Sequence, residues 1–132
     1  MTDDASSAAA MKPLGGLVPF VRVADVQRSV EFYGLLGFTV GNSIAPGGKL
    51  TWAWLYSGKA HLMVSAGESV NAETQGVWLY LYADGVIAYR EQLIAQGLSP
   101  SELEFPPHAP HGEFRLIDPD GYVLVVGDTE QM

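Results

Sequence analysis

The amino-acid sequence predicts an α+β fold made of two tandem βαβββ modules, and three observations lead to it. The first is the stretch from Phe114 to Val126, where two runs of strand-forming residues flank Asp118-Pro119-Asp120-Gly121. Proline fixes one turn dihedral, the aspartates can cap the turn and glycine can take the left-handed position, so the stretch reads as a hairpin. The second is a weaker copy upstream: Tyr56 to Ser65 aligns with the hairpin at a spacing of 62, turn against turn and apolar run against apolar run. The third is that Val18 to Asp25 aligns with Val77 to Asp84 at a spacing of 59, each followed by an amphipathic helical pattern and then a glycine. Two matches in the same order at nearly the same offset point to duplication of one unit of strand, helix and three strands.

Residues 1–16 are rich in Ser, Ala and Gly without periodicity and are expected to be a disordered leader. A single domain is expected over 17–128, with module one at about 17–66 and module two at about 76–127. Its first strand is Leu17 to Val23. Asp25 is a plausible N-cap, Val26, Val30 and Tyr33 recur at helical spacing, and Gly37 ends the helix. Phe38 to Ser43 reads as the second strand, and Ala45-Pro46-Gly47-Gly48 breaks the chain into a loop.

Leu50 to Tyr56 is the most aromatic strand, and its Trp52, Trp54 and Tyr56 alternate, so they project from one face. A two-residue turn after it pairs Trp54 with either His61 or Met63 and puts the aromatics on that face, the arrangement favoured here. A three-residue turn with a bulge puts them on the opposite face, where they would pack beneath a helix or in a subunit interface. Glu68 to Gln75 is polar apart from Val70 and Ala72 and should link the modules. Gly76 to Tyr82 is the fifth strand; Asp84 is expected to cap a helix whose Val86, Tyr89, Leu93 and Ile94 form the buried side, and Gly97 ends it. Pro100, Pro106, Pro107 and Pro110 keep most of Ser99 to Pro110 from being a central strand, so it reads as an edge or lid loop.

Composition narrows the function. A chain of 132 residues, 48% of them apolar, can bury one core. The absence of cysteine excludes disulfides and thiol catalysis and fits a reducing, cytoplasmic compartment. No apolar run is long enough to span a bilayer, and Met1-Thr2-Asp3-Asp4 lacks the basic start of a secretory signal, so no membrane partner is expected. The net charge of −8 repels phosphate backbones, which argues against nucleic acid as a partner; it attracts cationic ligands at long range, although solubility alone accounts for it as well. The serines lack a nucleophile-elbow context, and Gly15-Gly16 and Gly47-Gly48 lack the spacing of a phosphate loop. No catalytic residue and no cofactor is therefore assigned.

Val18 to Val40, Val77 to Leu98 and Phe114 to Val126 together resemble the vicinal oxygen chelate superfamily, also called glyoxalase/bleomycin resistance protein/dioxygenase, and within it the metal-free bleomycin-resistance branch. In that branch a strand, Asp-Val and a helix ending Glu-Phe-Tyr before Leu-Gly-Phe is typical, as at Asp25-Val26, Glu31-Phe32-Tyr33 and Leu36-Gly37-Phe38. One departure is visible, since the branch's Trp-Gly before the last hairpin is His111-Gly112 here. The resemblance implies that the two modules form a curved mixed sheet around a cavity, and that homodimers complete each cavity with modules from two chains. In metal-dependent members the ion sits on the first and last strands of each module, and those positions map to Val18, Met63, Val77 and Val125. All four are apolar, whereas hard divalent ions need oxygen or imidazole donors, so no metal is expected there.

Strand alternation and the family pattern together place Val18, Phe20, Arg22, His61, Met63, Glu113, Arg115 and Val125 on the concave face. The candidate ligand-binding set is Phe20, Arg22, Trp52, Trp54, His61, Met63, His111, Glu113 and Arg115. An aromatic cavity with sparse polar anchors suits a planar or aromatic ligand held by stacking and dispersion. Arg22, Arg115 and Glu113 could instead form a salt-bridged cluster on a solvated face. His108, His111 and Glu113 have a loose ligand-like spacing, which a proline-rich surface loop also explains. The expectation is a metal-free protein that sequesters a small molecule. The alternatives are a glyoxalase-like lyase or dioxygenase with non-standard metal ligands, and an accessory domain that only dimerises or docks.

Overall fold

The computed structural model describes residues 11–68, 71 and 73–132. Most of the expected leader, and Ser69, Val70 and Ala72 of the expected linker, lie outside these residues. In order the elements are β1 (Phe20–Val23), α1 (Val26–Leu35), β2 (Thr39–Ile44), β3 (Trp52–Ser57), β4 (Ala60–Ala66), β5 (Leu79–Ala83), α2 (Val86–Ala95), β6 (Glu113–Ile117) and β7 (Val123–Asp128). The α+β class holds, and within one chain the strands form two sheets, ordered β1-β4-β3-β2 and β5-β7-β6. β1 and β4 pair in parallel, as do β5 and β7, while each hairpin is antiparallel, so both halves repeat one topology.

The register corrects the repeat offset. Phe20 pairs with Met63 in the first sheet and Tyr80 with Val125 in the second, so the first strands correspond at a spacing of 60 rather than 59. On that spacing Val18 corresponds to Trp78 and Asp25 to Gly85. Asp84 accordingly does not cap α2. The N-cap is Gly85, held at φ 72°, and the Val86 amide instead donates to Asp128 Oδ2 at 3.0 Å, so the end of β7 caps the helix from a distance. The Glu130 and Val86 amides hold the Asp128 carboxyl below the usual carboxylate range. At α1 the expected cap is present, with Asp25 Oδ1 accepting from the Arg28 amide.

The second strand that the repeat would give the second half is absent among the described residues, and the proline-rich stretch read as an edge or lid loop is a bridged loop there. Glu104 and Glu113 exchange both backbone hydrogen bonds, at 2.8 and 2.9 Å, and the Ser101 amide donates to the Arg115 carbonyl, so this proline-rich segment runs along the outer edge of β6. It shields that edge without a regular ladder.

Each helix lies on one face of its own sheet, and the two buried faces join in one core of Val21, Val23, Tyr33, Leu55, Val64, Val86, Leu93, Phe114, Leu124 and Val126. Ile94 is not part of it and is 47% exposed. Polar ties cross between the halves. The Tyr33 hydroxyl donates to Asp118 Oδ2 at 2.7 Å, the Ala24 amide to Asp120 Oδ1 at 2.8 Å, and the Tyr122 hydroxyl to the Arg22 carbonyl at 2.8 Å. The Tyr89 hydroxyl donates to the Leu36 carbonyl at 2.6 Å, and burial raises its pKa to about 12. The Asp118 carboxylate also receives the Asp120 and Tyr122 amides, which closes the last turn, and burial pushes its pKa up against these donors.

Candidate functional site

Because both sheets give one face to the same core, both turn the other face outward, away from each other. The candidate residues other than His111 divide between these two faces. The Gly58-Lys59 turn is the two-residue kind, and the β3–β4 register sets Trp52 opposite Ser65, Trp54 opposite Met63 and Tyr56 opposite His61. Phe20 and Arg22 on β1 stand beside Met63 and Ser65 on the same face. The result is an aromatic platform of Phe20, Trp52, Trp54 and Tyr56 with Met63 and His61 among them, Phe20 being 56% exposed. Gly41, at the β2 bulge, lets the Tyr56 ring lie against the backbone, since a Cβ there would stand 3.1 Å from Tyr56 Cδ1.

His61 is tied into the platform. The Trp54 indole N–H donates to its Nδ1 at 3.1 Å, and its ring meets that of Trp54 edge-on with centroids 5.8 Å apart. The Tyr56 ring lies 6.5 Å away and tilted by 31°.

On the second sheet the outward face carries Tyr80, Tyr82, Glu113, Arg115, Val125 and Ile117. Glu113 is only 6% exposed, and its Oε1 accepts from the Tyr80 hydroxyl at 2.6 Å and lies 3.0 Å from His108 Nε2. Burial first, and then the bond to this carboxylate, raise the Tyr80 pKa. Gly127 makes room for that phenol, because a Cβ there would stand 2.9 Å from the Tyr80 hydroxyl. Arg115 lies over the Trp78 ring, 4.7 Å from its centroid. His111 turns away from this face: its Nδ1 is 3.3 Å from Glu130, and its amide donates to Gln131.

Among the described residues Arg28 pairs with Asp120, His108 Nε2 lies 3.0 Å from Glu113 and His111 Nδ1 lies 3.3 Å from Glu130, so the salt-bridged cluster of Arg22, Arg115 and Glu113 is not formed. Since His108 and His111 diverge to different carboxylates, no three His, Asp or Glu side chains among the described residues converge as a metal would require. The family's ligand positions are Val18, Met63, Val125 and, on the observed register, Trp78, none of which fits a metal ion. Trp78, Tyr80, Tyr82 and His108 were absent from the sequence-derived set. The alternation of Trp78, Tyr80 and Tyr82 is the same signal that singled out Trp52, Trp54 and Tyr56.

Two hollows lie between the halves, one around Leu36, Phe38, Ala60 and Tyr82 and the other around Leu35, Gly37, Gln92 and Gln96, and neither is lined by a residue of the candidate set. No helix of the described residues is long and apolar enough to cross a membrane.

Residues 16–126 match the family model of the Glyoxalase/Bleomycin resistance protein/Dioxygenase superfamily, and the chain belongs to that superfamily. Among solved structures, the fold is similar to a bleomycin resistance determinant encoded on the transposon Tn5, at 20% identity over 89% of this chain and 99% of that chain, with a TM-score of 0.73. It is also similar to a bleomycin-binding protein from bleomycin-producing Streptomyces verticillus complexed with copper(II)-bleomycin, at 21% identity over 89% and 98% with a TM-score of 0.69. The fosfomycin resistance protein FosX of Listeria monocytogenes, complexed with manganese(II), shares 17% identity over 90% and 95% with a TM-score of 0.67. At these identities the likeness is one of fold, and it extends from a bleomycin-binding protein to a lactoylglutathione lyase from Agrobacterium tumefaciens. No curated protein matches the chain in sequence.

Proposed function

We propose that the protein is a metal-free cytoplasmic binding protein that sequesters a planar or aromatic small molecule, acting as a homodimer in which the first sheet of one chain and the second sheet of the other face each other across each cavity. The observation that carries this reading is the aromatic platform of Phe20, Trp52, Trp54 and Tyr56, in which, among the described residues, Phe20 and Tyr56 are exposed and both tryptophans half-buried. Contiguous exposed aromatic surface marks binding or association, and stacking on it needs no reacting group. Glu113 and Arg115 stand on the other outward face, so a site that combines them with the platform needs a second copy. Apolar residues at the family's ligand positions favour binding over metal-dependent lyase or dioxygenase chemistry. Sequestration then works by mass action, and the net charge of −8 favours cationic ligands.

The test is a titration of dialysed protein with 9-aminoacridine, a planar cation, followed by fluorescence polarisation, with elemental analysis after exposure to nickel, zinc, iron and manganese. Saturable binding that Trp54→Ala weakens at least tenfold, with no metal retained, supports the reading. Equal binding by Trp54→Ala, or stoichiometric retained metal, contradicts it.

A further inference from the structure

Of the polar side chains on the platform face, Arg22, His61 and Ser65, it is His61 whose ring lies against those of Trp54 and Tyr56, and its hydrogen bond decides which of its nitrogens carries a proton. The Trp54 indole nitrogen can only donate, so His61 Nδ1, 3.1 Å away, must be the accepting, unprotonated nitrogen. A neutral imidazole has one N–H, which therefore lies on Nε2. His61 is exposed, and Nε2–H is engaged by none of the described residues. Protonation of Nδ1 would set one N–H against another. Deprotonated Nδ1, the nitrogen a general base would use, is already occupied.

We infer that His61 is a fixed hydrogen-bond donor that gives the platform its specificity, selecting planar ligands whose edge carries an acceptor, such as an aromatic ring nitrogen or carbonyl oxygen, over isosteres that lack one. The inference rests on the platform being the binding surface. The Trp54 indole sets the tautomer, the tautomer puts the donor on Nε2, and the edge-on contact with Trp54 holds the imidazole within the row of rings. Stacking alone discriminates poorly between aromatic molecules; an oriented donor adds a directional requirement.

The experiment compares quinoline with naphthalene, isosteres that differ by one ring nitrogen, by ligand-observed NMR on the full chain at pH 8. Nitrogen-15 spectra of the histidines are recorded on the same samples. The expected result is an Nε2–H tautomer for His61, a mixture of tautomers in Trp54→Phe, and quinoline bound about three- to tenfold more tightly than naphthalene, the range of one neutral hydrogen bond. The quantity read in each variant is the ratio of the two affinities: His61→Phe should bring the quinoline-to-naphthalene ratio to about one, while His61→Gln, which retains a donor near Nε2, should restore it. An Nδ1–H tautomer, or equal affinities in the unaltered protein, overturns the inference and leaves the binding platform standing. Failure of both probes to bind overturns the platform and the inference together.

Discussion

Tyr33→Phe removes one oxygen atom and tests how the two halves are held with their faces outward. Tyr33 is fully buried, and its hydroxyl donates at 2.7 Å to Asp118, which is 3% exposed. Phenylalanine keeps the ring, including its edge-on contacts with Phe32 and Phe38, so the packing term is nearly unchanged. What is lost is a donor to a buried carboxylate, leaving Asp118 Oδ2 without its partner while Oδ1 keeps two amides. Hydrogen bonds to charged groups are worth about 1.5–3 kcal/mol, and the stranded oxygen puts the expected loss at roughly 2–3 kcal/mol. For a domain of this size that corresponds to a fall in Tm of about 6–12 °C. Urea unfolding followed by tryptophan fluorescence measures it directly, and the m-value should not change. A loss below about 0.5 kcal/mol would refute the view that this bond ties α1 to the last hairpin.

Asp118→Asn should remove a pH dependence. Burial raises the native pKa of Asp118, so the stability tied to its neutral form is full below the unfolded value and is lost as pH rises through the folded one. The variant should therefore gain on the unaltered protein between pH 4 and pH 7 in paired denaturation curves; a constant difference would contradict this. Gly127→Ala should displace the Tyr80 phenol from Glu113, because the added methyl would meet the hydroxyl at 2.9 Å. Spectrophotometric titration should then show the Tyr80 pKa moving down toward the ordinary phenol range, and an unchanged value would mean that the ring does not rely on the glycine. His61→Ala should weaken 9-aminoacridine binding about two- to tenfold through lost ring contact while shifting Tm by less than about 2 °C, as expected of an exposed side chain.

Much of this architecture was legible in the chain because turns and periodicity are local. Asp118-Pro119-Asp120-Gly121, the glycines after both helices and the alternation of Trp52, Trp54 and Tyr56 each specify a conformation from a few neighbours. The face of those aromatics followed once the Gly58-Lys59 turn was known to be two residues long. What stayed hidden depends on partners distant in sequence. Asp128 caps α2 from 42 residues away, which left Asp84 as the natural but mistaken candidate. The one-residue error in the repeat offset came from aligning Asp25 with Asp84, two residues that share a type but not a position at the helix start. Spacing had already grouped His108 with Glu113, five residues apart, but Tyr80 reaches Glu113 from 33 residues away only through the fold, so the full polar cluster on the second face could not be assembled from spacing. Nor could the sequence show that one chain sends its candidate residues to two faces that do not meet.

That division permits a complementation test of the composite site. Trp54→Ala damages the first sheet's face and Glu113→Gln the second's, so in a homodimer of either variant both cavities carry a defect. Refolding the two together gives mixed dimers in which one cavity combines two intact faces. With random pairing, about a quarter of the sites should regain full affinity for 9-aminoacridine. Recovery of that fraction, from variants that bind weakly alone, is the result the account predicts. A mixture that binds no better than its components, while the unaltered protein binds tightly, would place the site within a single chain and contradict it.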